Sequence, residues 1–257
     1  MGLTRTVPVG SVPRPQWLQI TAVGVCSVVA NLAIFVAIER TLIAFVLICF
    51  YTYPVMVAVA ATRIYGDPLT PLRVASLALA TLGLAIVVAA PAVGGATVDV
   101  DPVGLALGLL AAVAQAAYAL IAGRGYASLP ATQAALAIAV VTTVAFLGVA
   151  VLMGDALALA QPFQLDGVWI WLILAATIGH AIPTAAILAG YRRLGPTRAS
   201  ILMLVEPIVG ILLAALLLAE RPGPLQLLGG LLVLAGSFLA QLDRRPASEA
   251  PSLTGVA

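Results

Sequence analysis

The stretch TLIAFVLICFYTYPVMVAVAAT, residues 41–62, decides the fold of this chain, and ASILMLVEPIVGILLAALLLA, residues 199–219, repeats its design. The first stretch carries no charged side chain, and the second carries one, Glu206. Because a helix rises about 1.5 Å per residue, roughly 20 such residues cross ~30 Å of hydrocarbon. Each stretch therefore predicts a membrane-spanning helix, with Tyr53-Pro54 inside the first and Glu206-Pro207 inside the second.

Six more runs of this kind lie on either side of the two, at residues 17–38, 72–92, 103–123, 132–153, 168–190 and 225–242. The whole chain is 63% hydrophobic and 9% charged, whereas soluble domains are roughly 45–50% apolar and about 25% charged. We therefore predict an all-α polytopic membrane protein with eight transmembrane helices. The lipid bilayer that surrounds these helices is its expected partner. A net charge of only +2 excludes the basic surface that nucleic-acid binding requires.

Arginine placement predicts the orientation of this bundle. If eight helices alternate in direction, ten of the 12 basic residues fall on one side, and only Arg40 and Arg221 fall on the other. Basic residues collect on the cytoplasmic side of membrane proteins. We therefore expect a multi-pass protein of the cytoplasmic membrane with both termini in the cytoplasm.

The chain also resembles itself at an offset of 153 residues. Arg40 then aligns with Arg193, Pro54 with Pro207, Asp67 with Glu220 and Gly83 with Gly236. Equivalent helices are five positions apart in the order, so they cross the membrane in opposite directions. This predicts an inverted-topology repeat, an arrangement associated with transport by alternating access.

The two repeat units are expected to be unequal, with three helices at residues 17–95 and five at residues 102–242. Counting back by the offset places the start of the first unit about fifty residues upstream of Met1. We therefore expect a 3+5 bundle derived from a 5+5 design, with its first helix pair absent. A disordered cytoplasmic segment is expected at residues 1–16 and a cytoplasmic tail at residues 243–257.

The segment Leu204-Val205-Glu206-Pro207-Ile208, followed by Leu217-Leu218-Ala219-Glu220-Arg221 and the glycine-rich residues 228–236, resembles the EamA branch of the drug/metabolite transporter superfamily. Tyr51-Thr52-Tyr53-Pro54-Val55 resembles the first-half copy of this signature, with Tyr53 at the position of the acid. The resemblance implies ten helices in two inverted five-helix repeats. It also implies the movement of small metabolites, often the export of amino acids or related compounds.

Glu206 is the acid that lies well inside a span, and an intramembrane carboxylate is a candidate functional group. His180, the single histidine, lies at a similar depth and could exchange a proton with it. Thr177, His180, Thr184 and Tyr191 have the spacing of one helical face. Structural hydrogen bonding within the bundle is the alternative role for Glu206 and His180.

Tyr53, Asn31, Gln115 and Tyr118 are further candidates for binding a substrate or proton, with interhelical hydrogen bonds as their alternative role. Pro54, Pro207 and Pro183 are candidate kinks or hinges, because a proline inside a helix releases a carbonyl group. Gly104, Gly108, Ala112 and Ala116 form a stripe of small residues that favours close helix packing.

No enzyme is predicted, because catalytic pairs of acids or histidines are missing from the spans. We also expect no cofactor and no metal, since no phosphate-binding loop and no ligand cluster is present. The leading hypothesis is a secondary transporter, in the direction of export, for a small-molecule substrate. The alternative is a non-transporting membrane module that is inactive or needs a partner to supply helices, and a homo-oligomer also remains open.

Overall fold

A computed structural model describes residues 7–8, 11–90, 101–124, 126, 128–154, 161, 167–217 and 223–242. Within these ranges the chain has eight helices that are long and apolar enough to cross a membrane, which confirms the predicted fold class. They are α1 (Arg14–Arg40), α2 (Ile43–Tyr65), α3 (Pro71–Ala89), α4 (Pro102–Arg124), α5 (Ala131–Leu152), α6 (Val168–Leu194), α7 (Pro196–Leu217) and α8 (Pro224–Leu242).

Local sequence explains where most of these helices begin and end. Helices α3, α4, α7 and α8 each begin with a proline, whose missing N–H group would have no intrahelical partner at that position. Thr70 caps α3 by accepting a hydrogen bond from the backbone N–H of Arg73. Gly66, with a φ of 66°, ends α2 in the left-handed conformation that glycine adopts without strain.

Two predicted boundaries are corrected by the structure. Helix α1 begins at Arg14, so residues 14–16 are helical rather than part of a disordered segment. The Gln16 and Gln19 side chains hold this first turn in place by accepting hydrogen bonds from the α4–α5 connection. Helix α7 begins at Pro196 instead of residue 199. The expected tail at residues 243–257, and residues 1–6 of the N-terminus, lie outside the described residues.

Three of the helices are interrupted. Helix α2 consists of Ile43–Phe50 and Tyr53–Tyr65, and α7 consists of Pro196–Met203 and Glu206–Leu217. The two breaks, at residues 51–52 and 204–205, are separated by the repeat offset of 153 residues. Helix α6 contains a π-helical segment, Ala175–Ala181, just before Pro183. The structure thus places equivalent interruptions in the equivalent helices α2 and α7.

Small residues bring several helices into close contact. A Cβ atom on Gly104 would lie 2.7 Å from Cγ2 of Thr41, and one on Gly108 would lie 2.9 Å from Cβ of Cys49. Ala112 and Ala116, the other two members of this stripe on α4, are buried. The packing predicted for the stripe is therefore confirmed. Helices α3 and α8 pack against each other in the same glycine-dependent way.

The bundle is tightly packed at the end that carries Arg63, Arg73, Arg192 and Arg198, here called the arginine-rich end. Arg192 donates a hydrogen bond to the carbonyl oxygen of Leu129, and Arg198 donates to the carbonyl oxygens of Ala240 and Gln241. At the opposite end, Arg40 forms an ion pair with Asp101 over 3.4 Å. These contacts agree with helices that alternate in direction.

Burial falls off toward the opposite end. Ala134, Leu188 and Ile201 are fully buried in the halves of α5, α6 and α7 that lie near the arginine-rich end. In the other halves of α5 and α7, the exposed fraction reaches 88% at Leu152 and 80% at Leu216. Burial within α5, α6 and α7 is therefore concentrated toward the arginine-rich end.

Candidate functional site

Four tyrosines from three helices meet inside the packed half of the bundle, and we call them the tyrosine cluster: Tyr51, Tyr53, Tyr118 and Tyr191. The ring centroids of Tyr118 and Tyr191 are 6.2 Å apart, and those of Tyr51 and Tyr53 are 6.5 Å apart. These distances lie in the range in which aromatic rings attract each other. The cluster brings α2, α4 and α6 together.

Tyr191 lies at the centre of this cluster. Its side chain is 0% exposed, and the polar groups nearest to its hydroxyl are those of Ser200, Gln115 and Tyr53. The hydroxyl nevertheless has no hydrogen-bond partner among the described residues, because none of these groups is well aligned with it. A buried hydroxyl without a partner is uncommon and marks a place where a water molecule or a ligand atom can bind.

Glu206 lies beside the cluster, within electrostatic reach of Tyr51, Tyr53 and Tyr191. It is the first residue of the second segment of α7 and remains exposed. Tyr53 is likewise the first residue of the second segment of α2. The second segments of α2 and α7 therefore begin near mid-depth, and their first turns bond back to the carbonyl oxygens of Thr52 and Val205.

The structure brings Glu206, Tyr53, Gln115 and Tyr118 into one region, but it places the other two candidates elsewhere. Asn31 and His180 line a separate cleft between α1, α5 and α6, with a volume of about 380 Å³. No described contact joins His180 to Glu206, so the hypothesis of direct proton exchange between them has no geometric support.

The single helical face predicted for Thr177, His180, Thr184 and Tyr191 stays a prediction. Thr177 and His180 are exposed and Tyr191 is fully buried, but residues 169–182 are exposed on every face, so exposure does not define a face there. The π-helical segment Ala175–Ala181 widens the turns that carry Thr177 and His180, and it therefore changes the spacing at which residues share a face. Sequence spacing failed to identify Ser200, which the fold brings to Tyr191 from the start of α7.

A family model described as the EamA-like transporter family matches residues 3–89 and 102–242. The chain belongs to the EamA-like transporter family. The resemblance carried by Glu206-Pro207 and Tyr53-Pro54 is thus confirmed, and the eight apolar helices are those of a multi-pass membrane protein.

Two individual proteins illustrate how far the similarity to known EamA-like proteins extends. An uncharacterized transporter of Synechocystis sp. is 35% identical over 75 residues, which are 29% of this chain and 22% of that relative. A solved crystal structure, described only as that of a protein, has a TM-score of 0.63 at 18% identity. It covers 93% of this chain and 91% of its own chain. This second similarity supports the fold.

The three prolines predicted as kinks in this EamA-like chain lie where helices depart from α-helical geometry. Pro54 and Pro207 directly follow the first residues of the second segments of α2 and α7. Pro183 follows the π-helical segment of α6. A proline cannot donate the backbone hydrogen bond that would continue the preceding turn. Whether these interruptions act as hinges stays a prediction.

At the arginine-rich end, Tyr126 lies within electrostatic reach of Tyr118 of the tyrosine cluster. It is 1% exposed, adopts a φ of 37°, and donates its backbone N–H to Oε1 of Gln19. The guanidinium carbon of Arg192 lies 6.0 Å from the centre of its ring. Burial raises the pKa of the Tyr126 hydroxyl, and the nearby charge of Arg192 partly opposes this effect.

Proposed function

We propose that the chain is a secondary transporter that exports small amine-bearing metabolites, such as amino acids or related compounds, by alternating access. It would reside in the cytoplasmic membrane with both termini in the cytoplasm. The observation that carries the proposal is the pair of equivalent helix breaks, which starts one half-helix at Tyr53 and another at Glu206 beside the same tyrosine cluster. Broken helices at equivalent positions of inverted repeats are typical of transporter binding sites.

The chemistry of this region suits a substrate with an amino group. Glu206 supplies a carboxylate for an ammonium group, and the faces of Tyr51 and Tyr53 attract cations. The hydroxyl of Tyr191 and the amide of Gln115 can donate hydrogen bonds to a carboxylate or carbonyl of the same molecule. Both the ammonium group and the carboxylate of a zwitterion could therefore bind within this one site.

The packing of the bundle supports an outward-facing state. If the arginine-rich end is cytoplasmic, the buried tyrosine cluster and Tyr126 lie toward the cytoplasmic side, while α5, α6 and α7 are exposed in their other halves. Glu206 is exposed at the boundary between the two regions. Rocking of α2 and α7 at their breaks would then open the cytoplasmic side and close the opposite one. Proton binding at Glu206 could couple this movement to the proton gradient.

Transport in proteoliposomes tests the proposal. Purified protein is reconstituted, and the movement of a panel of radiolabelled amino acids and amines is measured with and without a pH gradient. We expect Glu206→Gln to abolish transport or its pH dependence, because an amide cannot exchange a proton or balance an ammonium charge. Glu39→Gln, at the exposed end of α1, is the matched control. Unchanged transport by Glu206→Gln would remove Glu206 from the mechanism.

One observation favours the alternative of a membrane module that needs a helix-supplying partner. The described part of α6 at residues 169–182 is exposed on every face, whereas the repeat equivalent of α6, helix α1, packs against α4 and α5. Transport by the purified chain alone would contradict this alternative. A membrane protein that copurifies in fixed ratio and restores transport to an inactive preparation would support it.

A further inference from the structure

We propose that the cleft between α1, α5 and α6, here called the lateral cleft, is a second binding site that takes a neutral single-chain amphiphile from the bilayer. It is lined by polar side chains from all three helices: Ser27, Asn31, Thr142, Thr143 and His180. Its volume of about 380 Å³ lies within the range of small-molecule sites. This inference goes beyond the transport proposal, because it concerns a different set of residues.

The depth of the cleft places these polar groups in the hydrocarbon region. Asn31 lies nine residues before the end of α1 at Arg40, which corresponds to roughly 14 Å along the helix. Thr142 and His180 lie in the middle of α5 and α6. Polar side chains at this depth are costly unless they face a partner or a ligand.

Part of the hydrogen-bonding capacity of the cleft is used internally, and part is free. Nδ2 of Asn31 donates to the carbonyl oxygen of Ser27 over 2.7 Å, which leaves Oδ1 of Asn31 as an acceptor. The hydroxyl of Thr142 donates to the carbonyl oxygen of Ile138 over 2.8 Å and can still accept. Thr143 and His180 are exposed and make no hydrogen bond within the described residues. A ligand head group that carries both donors and acceptors could therefore form hydrogen bonds with these side chains.

The absence of charge selects a neutral ligand. None of the described residues that line the cleft is an acid, an arginine or a lysine. An ion buried here would lose its hydration without gaining a counter-charge, at a cost of several kcal/mol or more, on the order given for buried ions. Charged lipids and zwitterionic amino acids are therefore disfavoured at this site, in contrast to the region around Glu206.

The rim of the cleft identifies the bilayer as the source of the ligand. Phe35 and Leu147, at the rim, are 60% and 45% exposed within membrane-spanning helices. Phe146 adds a third apolar surface to the lining. At this depth the exposed surfaces face hydrocarbon, so an acyl chain can lie along the rim while the head group reaches Asn31. A monoacylglycerol has this combination of a neutral hydroxyl-bearing head and one chain.

Photolabelling of the purified chain in nanodiscs tests this site. The probe is a monoacylglycerol with a diazirine in its acyl chain, and the labelled residues are identified by mass spectrometry. We expect labels on α1, α5 or α6 at the rim of the cleft. Unlabelled monoacylglycerol should compete, whereas the corresponding fatty-acid anion and alkylamine should not.

Two variants and one control make the result specific. Asn31→Leu and the exposed Thr143→Val should each reduce labelling of the rim about fivefold, as expected for losing one hydrogen bond of about 1 kcal/mol. Thr81→Val, a matched change on α3 outside the cleft, should leave it unchanged. Equal labelling of all lipid-facing helices, equal competition by the charged amphiphiles, or unchanged labelling in both variants would overturn the proposal. None of these readouts depends on transport, so failure here is distinguishable from failure of the proposed function.

Discussion

Gly83 and Gly236 are related by the internal repeat, and each lies directly against the backbone of the other's helix. A Cβ atom on Gly83 would lie 2.6 Å from the carbonyl oxygen of Gly229, and one on Gly236 would lie 2.7 Å from the carbonyl oxygen of Ser76. Ser76 and Gly229 are themselves 153 residues apart. The contact between α3 and α8 therefore obeys the twofold relation that the repeat predicts. It joins the two halves of the chain at their equivalent helices.

A substitution on either side of the contact between α3 and α8 should destabilise the protein to the same extent. Gly83→Ala and Gly236→Ala should each lower the free energy of unfolding by about 1–3 kcal/mol, because the added methyl group has no room. The measurement is unfolding by sodium dodecyl sulfate, monitored by tryptophan fluorescence. Gly148→Ala is the control, since a Cβ atom there would have no neighbour within 4 Å. A large effect at only one of the two glycines would contradict the symmetric contact.

The hydroxyl of Tyr191 should matter for binding and not for folding. Because it has no hydrogen-bond partner among the described residues, Tyr191→Phe should not lower the free energy of unfolding by more than about 0.5 kcal/mol. If the hydroxyl binds substrate, KM for transport should rise about fivefold. Tyr65→Phe is the matched control, because it removes a 2.9 Å hydrogen bond to the carbonyl oxygen of Leu120. That variant should lose about 1 kcal/mol of stability with KM unchanged.

The helix breaks should set the rate of transport. Replacing Pro54 or Pro207 by alanine restores a backbone N–H group, so the interruptions of α2 and α7 can close into continuous helix. We expect the maximal rate of transport in proteoliposomes to fall by roughly an order of magnitude, with KM little changed. Pro71→Ala, at the first position of α3, should have no such effect. Parental rates in both break variants would show that the prolines serve packing alone.

High pH should loosen the arginine-rich end through Tyr126. Burial raises the pKa of its hydroxyl in the folded chain, with Arg192 partly opposing this. The folded state thus favours the neutral phenol, so this contribution to stability is complete below the usual tyrosine pKa of about 10 and is lost as pH rises above it. The thermal midpoint of the parent should fall more steeply between about pH 9 and 11 than that of Tyr126→Phe. Parallel curves would show that Tyr126 ionises freely in the folded chain.

Much of the architecture follows from sequence patterns that act within one helix. Apolar runs with at most one charged side chain located all eight spans, because the cost of burying charge in hydrocarbon depends on composition. The breaks before Pro54 and Pro207 occur where proline removes a backbone donor. The small-residue stripe of α4 was likewise visible from spacing, since residues three and four apart share a face.

Which polar side chains lie close together in the fold could be predicted only in part. Glu206 and Tyr53 were identified together because the repeat aligns them, and the structure places them at the same cluster. Asn31 and His180 instead line the lateral cleft. These two residues lie on different helices, α1 and α6, so their common cleft depends on how the helices pack and could not be predicted from the spacing within either helix.

The sequence by itself thus determined the number of spans, their alternation, the repeat and the positions of the breaks, because hydropathy and proline act along the chain. Only the tertiary structure decided which side chains face one another. It brought Tyr53 and Ser200 to Tyr191, and it set Gly83 against α8. These pairings depend on how the helices cross and on how each one is rotated about its axis, and neither quantity is encoded in any single stretch of residues.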